Sequence, residues 1–304
     1  MQTKSRELTS ALVSSALAAS KKAGDAVLEV YNSDFAVELK DDKSPLTLAD
    51  KRSHEIVTSH MSALDPALVD GLFKSDKHRI PLLSEEGKNI PFEERKNWEY
   101  FWLVDPIDGT REFVKRNGEF TINIALIHSG RPVLGVIYVP VKETFYFSAE
   151  GLGTYKLEIA DKPDFMLPEK FSQETFDDVL SVSKRLNAKT DTPGPSENMQ
   201  RITIIGSRSH MSKETEDYIN NLKKLYKEVD FVSAGSSLKF CLMAESKADI
   251  YPRFGPTMEW DTAAGQAIVE QTGGVVLNIS TSTPLIYNKE NLLNPYFVVK
   301  RAGI

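Results

Sequence analysis

The sequence of 304 residues predicts an α+β fold, an α+β half followed by an α/β half. Three patterns carry this reading. Helical apolar periodicity opens the chain, strand-like runs separated by turn residues fill its middle, and strand-like and helix-like segments alternate in its last third. Leu8, Leu12, Ala16, Ala26, Val27 and Val30 recur at helical spacing over residues 6–31, with Gly24 as the weak point of that helix. A second helix starts near Thr47. The apolar runs Ile80-Pro-Leu-Leu and Phe101-Trp-Leu-Val104 read as short strands, and Pro106 is expected to end the second. Between residues 120 and 155, Ser129-Gly130, Pro140 and Glu150-Gly151 punctuate an antiparallel meander. Segments 201–206, 213–226, 228–232, 238–245, 248–253, 261–271 and 275–278 then alternate strand and helix. The polar stretch 161–200, with Pro163, Pro168, Pro193 and Pro195, divides the chain into units 1–160 and 161–304. There is no internal repeat.

Composition sets outer bounds on function. A formal charge of −6 argues against a polymeric nucleic-acid surface, which needs a basic footprint, but allows one small polyanion in a locally positive cleft. The single cysteine, Cys241, excludes an internal disulfide and reads as a small buried hydrophobe. No apolar stretch reaches membrane-spanning length, and the polar start lacks a secretory pattern, so the cytoplasm is the expected compartment.

The chemistry concentrates at Trp102-Leu-Val-Asp105-Pro-Ile-Asp108-Gly-Thr110. An acid directly after an apolar run needs a compensating partner, and a divalent cation is the natural one. Gly109 and Thr110 are small enough for their backbone N–H groups to approach an anion. The alternative is a plain strand-to-turn corner, where Asp-Gly is common. The spacing of Asp105 and Asp108, three apart, disfavours a phosphoaspartate nucleophile motif, whose acids alternate on one side of an extended segment. Further acids follow the same logic. Glu85 follows a short apolar run, and Asp261 opens a helix rich in Ala and Gly. Asp50 lies ahead of another helical run, and helix capping is the alternative for both aspartates. Glu85, Asp105, Asp108 and Asp261 form a hard-oxygen ligand set without a Cys/His cage, which suits Mg2+ or Mn2+ better than zinc.

Ser84-Glu85-Glu86, the Asp105–Thr110 motif and Trp260-Asp261-Thr-Ala-Ala-Gly265 occur in order and together resemble the three signatures of the magnesium-dependent, lithium-sensitive inositol monophosphatase superfamily. The run from Asp105 to Leu126, together with Gly235-Ser-Ser-Leu-Lys239 and Tyr251-Pro-Arg253, narrows the resemblance to the CysQ-type branch, the 3'(2'),5'-bisphosphate nucleotidases. It covers nearly the whole chain apart from 161–200.

The resemblance implies a layered αβαβα sandwich of the inositol monophosphatase/fructose-1,6-bisphosphatase type. The first unit would carry the main metal-binding acids, and the second Asp261 and the nucleotide contacts. It further implies conversion of 3'-phosphoadenosine 5'-phosphate to AMP and phosphate by a metal-activated water. In that scheme Glu85, Asp105 and the Ile107 carbonyl hold one metal, and Asp105, Asp108 and Asp261 hold a second. Glu85 and Thr110 orient the water, Asp50 assists its deprotonation, and the Gly109 and Thr110 amides grip the phosphate. Lys239 and Arg253 contact the second phosphate, with Ser209, His210 and Ser236 near the nucleotide. For Lys239 and Arg253 the alternative is a snorkelling side chain or a salt bridge. An inositol or sugar phosphatase of the same superfamily is the competing activity, and a non-catalytic nucleotide sensor is the rival class. Peripheral association with the inner membrane is a further expectation of the resemblance.

Overall fold

A computed structural model describes residues 2–39, 45–64, 79–162, 164–168, 172–187, 201–206 and 212–304. Ser209 and His210 lie outside the described residues. Two helices, α1 (Gln2–Tyr31) and α2 (Leu48–Ser62), pack together against one face of a seven-stranded sheet. In spatial order that sheet is β3 (Leu82–Ser84), β4 (Tyr100–Asp108), β5 (Thr121–His128), β6 (Arg131–Val139), β7 (Thr144–Ala149), β8 (Gly153–Glu158) and β9 (Lys184–Leu186). β3 and β4 run parallel; every later pair is antiparallel, the meander expected from the turn residues.

Strand periodicity divides the core. In β4, Trp102 and Val104 face the α1/α2 layer, whereas Phe101 and Leu103 face a second helical layer. That layer holds α7 (Leu238–Ala244) and α8 (Glu259–Glu270). Behind it stands a five-stranded sheet in the order β11 (Glu228–Ser233), β10 (Arg201–Gly206), β12 (Ile250–Arg253), β14 (Phe297–Lys300), β13 (Val275–Asn278). Ile202, Ile204, Ile250 and Val298 close its far side against Leu222 of α6 (Lys213–Leu225). The layers therefore run αβαβα. A two-stranded ribbon, β1 (Val37–Leu39) with β2 (Pro45–Thr47), leads into α2, and a single helical turn, α3 (Phe92–Arg95), lies between β3 and β4.

Three local findings refine the sequence reading. α1 continues through Gly24 without a break, because the missing side chain admits the ring of Tyr138: a Cβ there would lie 2.3 Å from Tyr138 Cε1. Pro106 does not end β4. Pairing resumes at Asp108↔Thr121 after a bulge in which Pro106 and Ile107 oppose the single residue Ile122. The stretch 161–200 contributes α5 (Gln173–Val182), capped by Ser172, and the edge strand β9; both contact elements of the large-sheet half.

Candidate active site

The bulge in β4 resolves the spacing of its two acids. Asp105 pairs with Asn123 and Asp108 with Thr121, and those partners lie two apart on one face of β5. Two residues opposing one restore the alternation, so both carboxylates project to the same side. Ser53 Oγ fixes the bulge by donating to the Pro106 carbonyl at 2.7 Å, while Asp105 Oδ1 accepts from Ile107 N–H at 3.1 Å.

Glu85 arrives at the same point because the ladder continues past β3: its N–H donates to the Val104 carbonyl at 3.1 Å. Asp261 comes from the far side, on the first turn of α8. Close packing of α8 on β6 delivers it, since a Cβ on Gly135 would lie 2.5 Å from the Ala264 carbonyl. Carboxylate oxygens of Glu85, Asp105 and Asp261 lie within 4.8 Å of one another. Asp105 is 1% exposed, and its pKa is pushed well above the carboxylate range by burial and then by Glu85, Asp108, Asp261 and Asp50. Burial, Asp108 and Glu85 push Asp261 the same way. Such a cluster of hard oxygen donors carries like charges that a divalent cation neutralises, so these residues fit Mg2+ or Mn2+.

Capping and site geometry coincide at two positions. Asp50 is buried on the first turn of α2, where Oδ2 accepts from Thr47 N–H and Oγ1 at 2.8 and 2.7 Å. Its other oxygen, Oδ1, lies 3.3 Å from Thr110 Oγ1, which is also 3.3 Å from the Ile107 carbonyl. Asp261 likewise accepts from Met258 N–H through Oδ2 at 2.8 Å. Gly109 has φ +92° and caps the single turn α4 (Thr110–Val114). A Cβ on it would come within 2.7 Å of Ser236 Oγ, so both conformation and space require glycine.

Beyond the acids the cleft is lined by Gly109, Ser236, Lys239, Tyr251 and Arg253. The Ser236 hydroxyl donates to backbone carbonyls of Glu119 (2.7 Å) or Asp108 (3.0 Å), tying the loop before α7 to the bulge. Lys239 is 6% exposed and its ammonium donates to the Ser236 carbonyl at 2.7 Å and less closely to that of Ala234 at 3.4 Å. Burial lowers its pKa to about 8, against the opposing charge of Asp108 and with the help of Arg253. Arg253 donates to the Pro256 carbonyl at 3.1 Å, and its Nε is buried without a hydrogen-bond partner. Neither cation forms an ion pair with a carboxylate among the described residues; Lys239 is buried, and Arg253 is half-buried at the cleft.

Two residues that the sequence reading did not single out belong here. Ser237 Oγ donates to Asp108 Oδ2 at 2.6 Å, and Asn123 Nδ2 donates to Ser237 Oγ at 2.9 Å. Asn123 carried a signal, a polar residue inside the apolar run Ile122-Asn-Ile-Ala-Leu-Ile127.

A model of the inositol monophosphatase family matches residues 8–300. The chain belongs to that family. Among its relatives, the 3'(2'),5'-bisphosphate nucleotidase CysQ of Salmonella typhimurium is 38% identical over 281 residues, spanning 92% of this chain and 95% of that protein. The CysQ of Haemophilus influenzae is 32% identical, spanning 95% and 92% respectively. A crystal structure of CysQ from Bacteroides thetaiotaomicron superposes with a TM-score of 0.75 at 42% identity, covering 94% of this chain and 96% of that one. The expected α+β fold and the hydrolase class, with CysQ-type nucleotidases as relatives, are borne out. Among the described residues no helix is long and apolar enough to cross a membrane.

Proposed function

We propose that this family member is a magnesium-dependent 3'(2'),5'-bisphosphate nucleotidase that converts 3'-phosphoadenosine 5'-phosphate to AMP and phosphate. The observation that carries it is one cleft in which an acidic cluster faces two cations, Lys239 and Arg253, that form no ion pair with a carboxylate among the described residues. A carboxylate cluster alone suits any monophosphate. The second, basic wall suits a substrate with an additional phosphate, and the CysQ names of the relatives agree with that class.

Glu85, Asp105 with the Ile107 carbonyl, Asp108 and Asp261 are the residues to hold divalent cations. Such ions, when bound, supply Lewis-acid activation of water and neutralise charge on the reacting phosphate. The chain's own groups then divide the work. Thr110, fixed between Asp50 and the Ile107 carbonyl, orients the attacking water together with Glu85. Asp50 accepts its proton through Oδ1, the oxygen not engaged by Thr47. Backbone N–H groups of Gly109 and Thr110 hold the phosphate that is cleaved, and Lys239 and Arg253 hold the one that is not. Ser236 shapes the wall between them, and Ser209 and His210 complete the nucleotide contacts. We assign the enzyme to the cytoplasm.

The test is phosphate release with Mg2+ across bisphosphorylated nucleotides, adenosine monophosphates, inositol phosphates and sugar phosphates. A clear preference for 3'-phosphoadenosine 5'-phosphate is the expected result. Preference for an inositol or sugar phosphate would overturn the substrate assignment, and binding without turnover would make the chain a sensor.

A further inference from the structure

Ser237 stands at the N-cap of α7, yet its side chain makes no capping hydrogen bond. N-cap serines normally use the hydroxyl on a free backbone N–H of the first turn. Here Oγ lies 2.6 Å from Asp108 Oδ2, 3.0 Å from the Asp261 carbonyl and 2.9 Å from Asn123 Nδ2. A hydroxyl has one proton. Asn123 donates into Oγ, so that proton goes to an acceptor, and the charged, closer carboxylate of Asp108 outcompetes the carbonyl. The chain of donors extends backward, since Thr121 Oγ1 donates to Asn123 Oδ1 at 3.0 Å and so fixes which end of the amide faces Ser237. Thr121, Asn123 and Ser237 are all buried, with exposures of 0%, 1% and 1%. Burial shields these three side chains from water.

We propose that Ser237, aligned by Asn123, is a positioning residue. It orients the Asp108 carboxylate for a divalent cation and thereby couples that acid to the helix presenting Lys239. This rests on the reading of the acids as a divalent-cation centre. Among the described residues, the only hydrogen bonds to the Asp108 carboxylate, those from Ser237 and a long one from Asn123 at 3.5 Å, both go to Oδ2. The arrangement therefore fixes the rotamer while leaving Oδ1 available. Ser237 lies two residues before Lys239 on the same element, so a shift of α7 that moves the ammonium also moves the hydroxyl that holds Asp108.

The test uses Mn2+ as the probe, titrated without substrate into the full chain and followed by the electron paramagnetic resonance signal of free Mn2+. Loss of a group that orients a ligand typically weakens metal affinity about 10- to 100-fold. Ser237→Ala is expected to fall in that range, Asn123→Ala to weaken binding in the same direction, and Ser237→Thr, which keeps the hydroxyl, to recover most of the affinity. In an Asp108→Asn background, Ser237→Ala is expected to add no further loss. Ser237→Ala binding Mn2+ within twofold of the unsubstituted protein, or losing as much in the Asp108→Asn background, would overturn the proposal. If Ser237→Ala does not fold, the same comparison with Asn123→Ala decides. Failure of the underlying reading looks different: the unsubstituted protein would then show no Mn2+ binding that Asp105→Asn removes.

Discussion

Replacing Lys239 with Met removes the ammonium while keeping most of the side-chain volume, so it tests the basic wall without opening a cavity. Lysine has three donors, and two are directed at the Ser236 and Ala234 carbonyls, which leaves one for a substrate phosphate. One hydrogen bond to a charged group is worth about 1.5–3 kcal/mol. That converts to a loss of about ten- to hundredfold in kcat/KM for 3'-phosphoadenosine 5'-phosphate. Adenosine 3'-monophosphate has no second phosphate to lose, so its kcat/KM should change little. Burial holds the Lys239 pKa at about 8, so the ammonium is present below that pH and is lost above it. In the unsubstituted enzyme the preference for bisphosphate over monophosphate should therefore be flat at neutral pH and decline above pH 8. In Lys239→Met it should be small and independent of pH. The assay is a pair of kcat/KM profiles for each protein between pH 6.5 and about 9.5, a range that spans the lysine titration. Parallel losses on both substrates would show that Lys239 supports the fold or the common centre and would remove the physical basis of the bisphosphate assignment.

The same substitution carries a stability signature of opposite sign. Folding lowers this pKa from the ordinary lysine value of 10.5 to about 8, so between those limits the unfolded chain holds more protons. Lys239 therefore imposes a penalty that is full below pH 8 and fades as pH rises toward 10.5. A shift of this size corresponds to about 3 kcal/mol. Lys239→Met should melt at a higher temperature than the unsubstituted protein at pH 7 in the absence of ligands. An unchanged or lower melting temperature would mean that the two carbonyl contacts already compensate the buried charge.

Exhaustive chelation should abolish phosphate release and added Mg2+ should restore it; activity that survives chelation would refute metal dependence. Asp105→Asn should lose more activity than Thr110→Ala, because Asp105 is assigned to both cations whereas Thr110 only orients water; equal and mild losses would count against those roles. Lithium should inhibit, an expectation from the family resemblance alone, and steady-state inhibition curves check it. Gly24→Ala should lower the melting temperature even though alanine is the better helix former by about 1 kcal/mol, because its Cβ would meet the fully buried Tyr138 ring. A higher melting temperature would show that the ring yields easily.

The sequence reading failed where local pattern and tertiary pairing diverge. Phe297-Val-Val-Lys300 is too short an apolar run to declare itself, yet β14 is the strand that pairs with both β12 and β13. α5 lay inside a region judged by its prolines, although Ser172 followed by Thr175 at N3 marks a helix start. Asp105 and Asp108 presented the reverse problem. Their spacing argued against a shared face, and only the bulge opposite Ile122, invisible without the partner strand, restores it. The capping alternatives for Asp50 and Asp261 turn out not to compete with the site at all. An aspartate three residues into a helix spends one oxygen on the N-cap backbone, which fixes the rotamer and points the second oxygen away from the helix. For Asp50 that second oxygen faces Thr110, and the carboxylate of Asp261 joins the cluster with Glu85 and Asp105. A helix start is therefore a cheap way to hold a carboxylate rigidly in a cleft, and a capping aspartate should count toward a metal-site reading rather than against it whenever other acids converge on the same cleft.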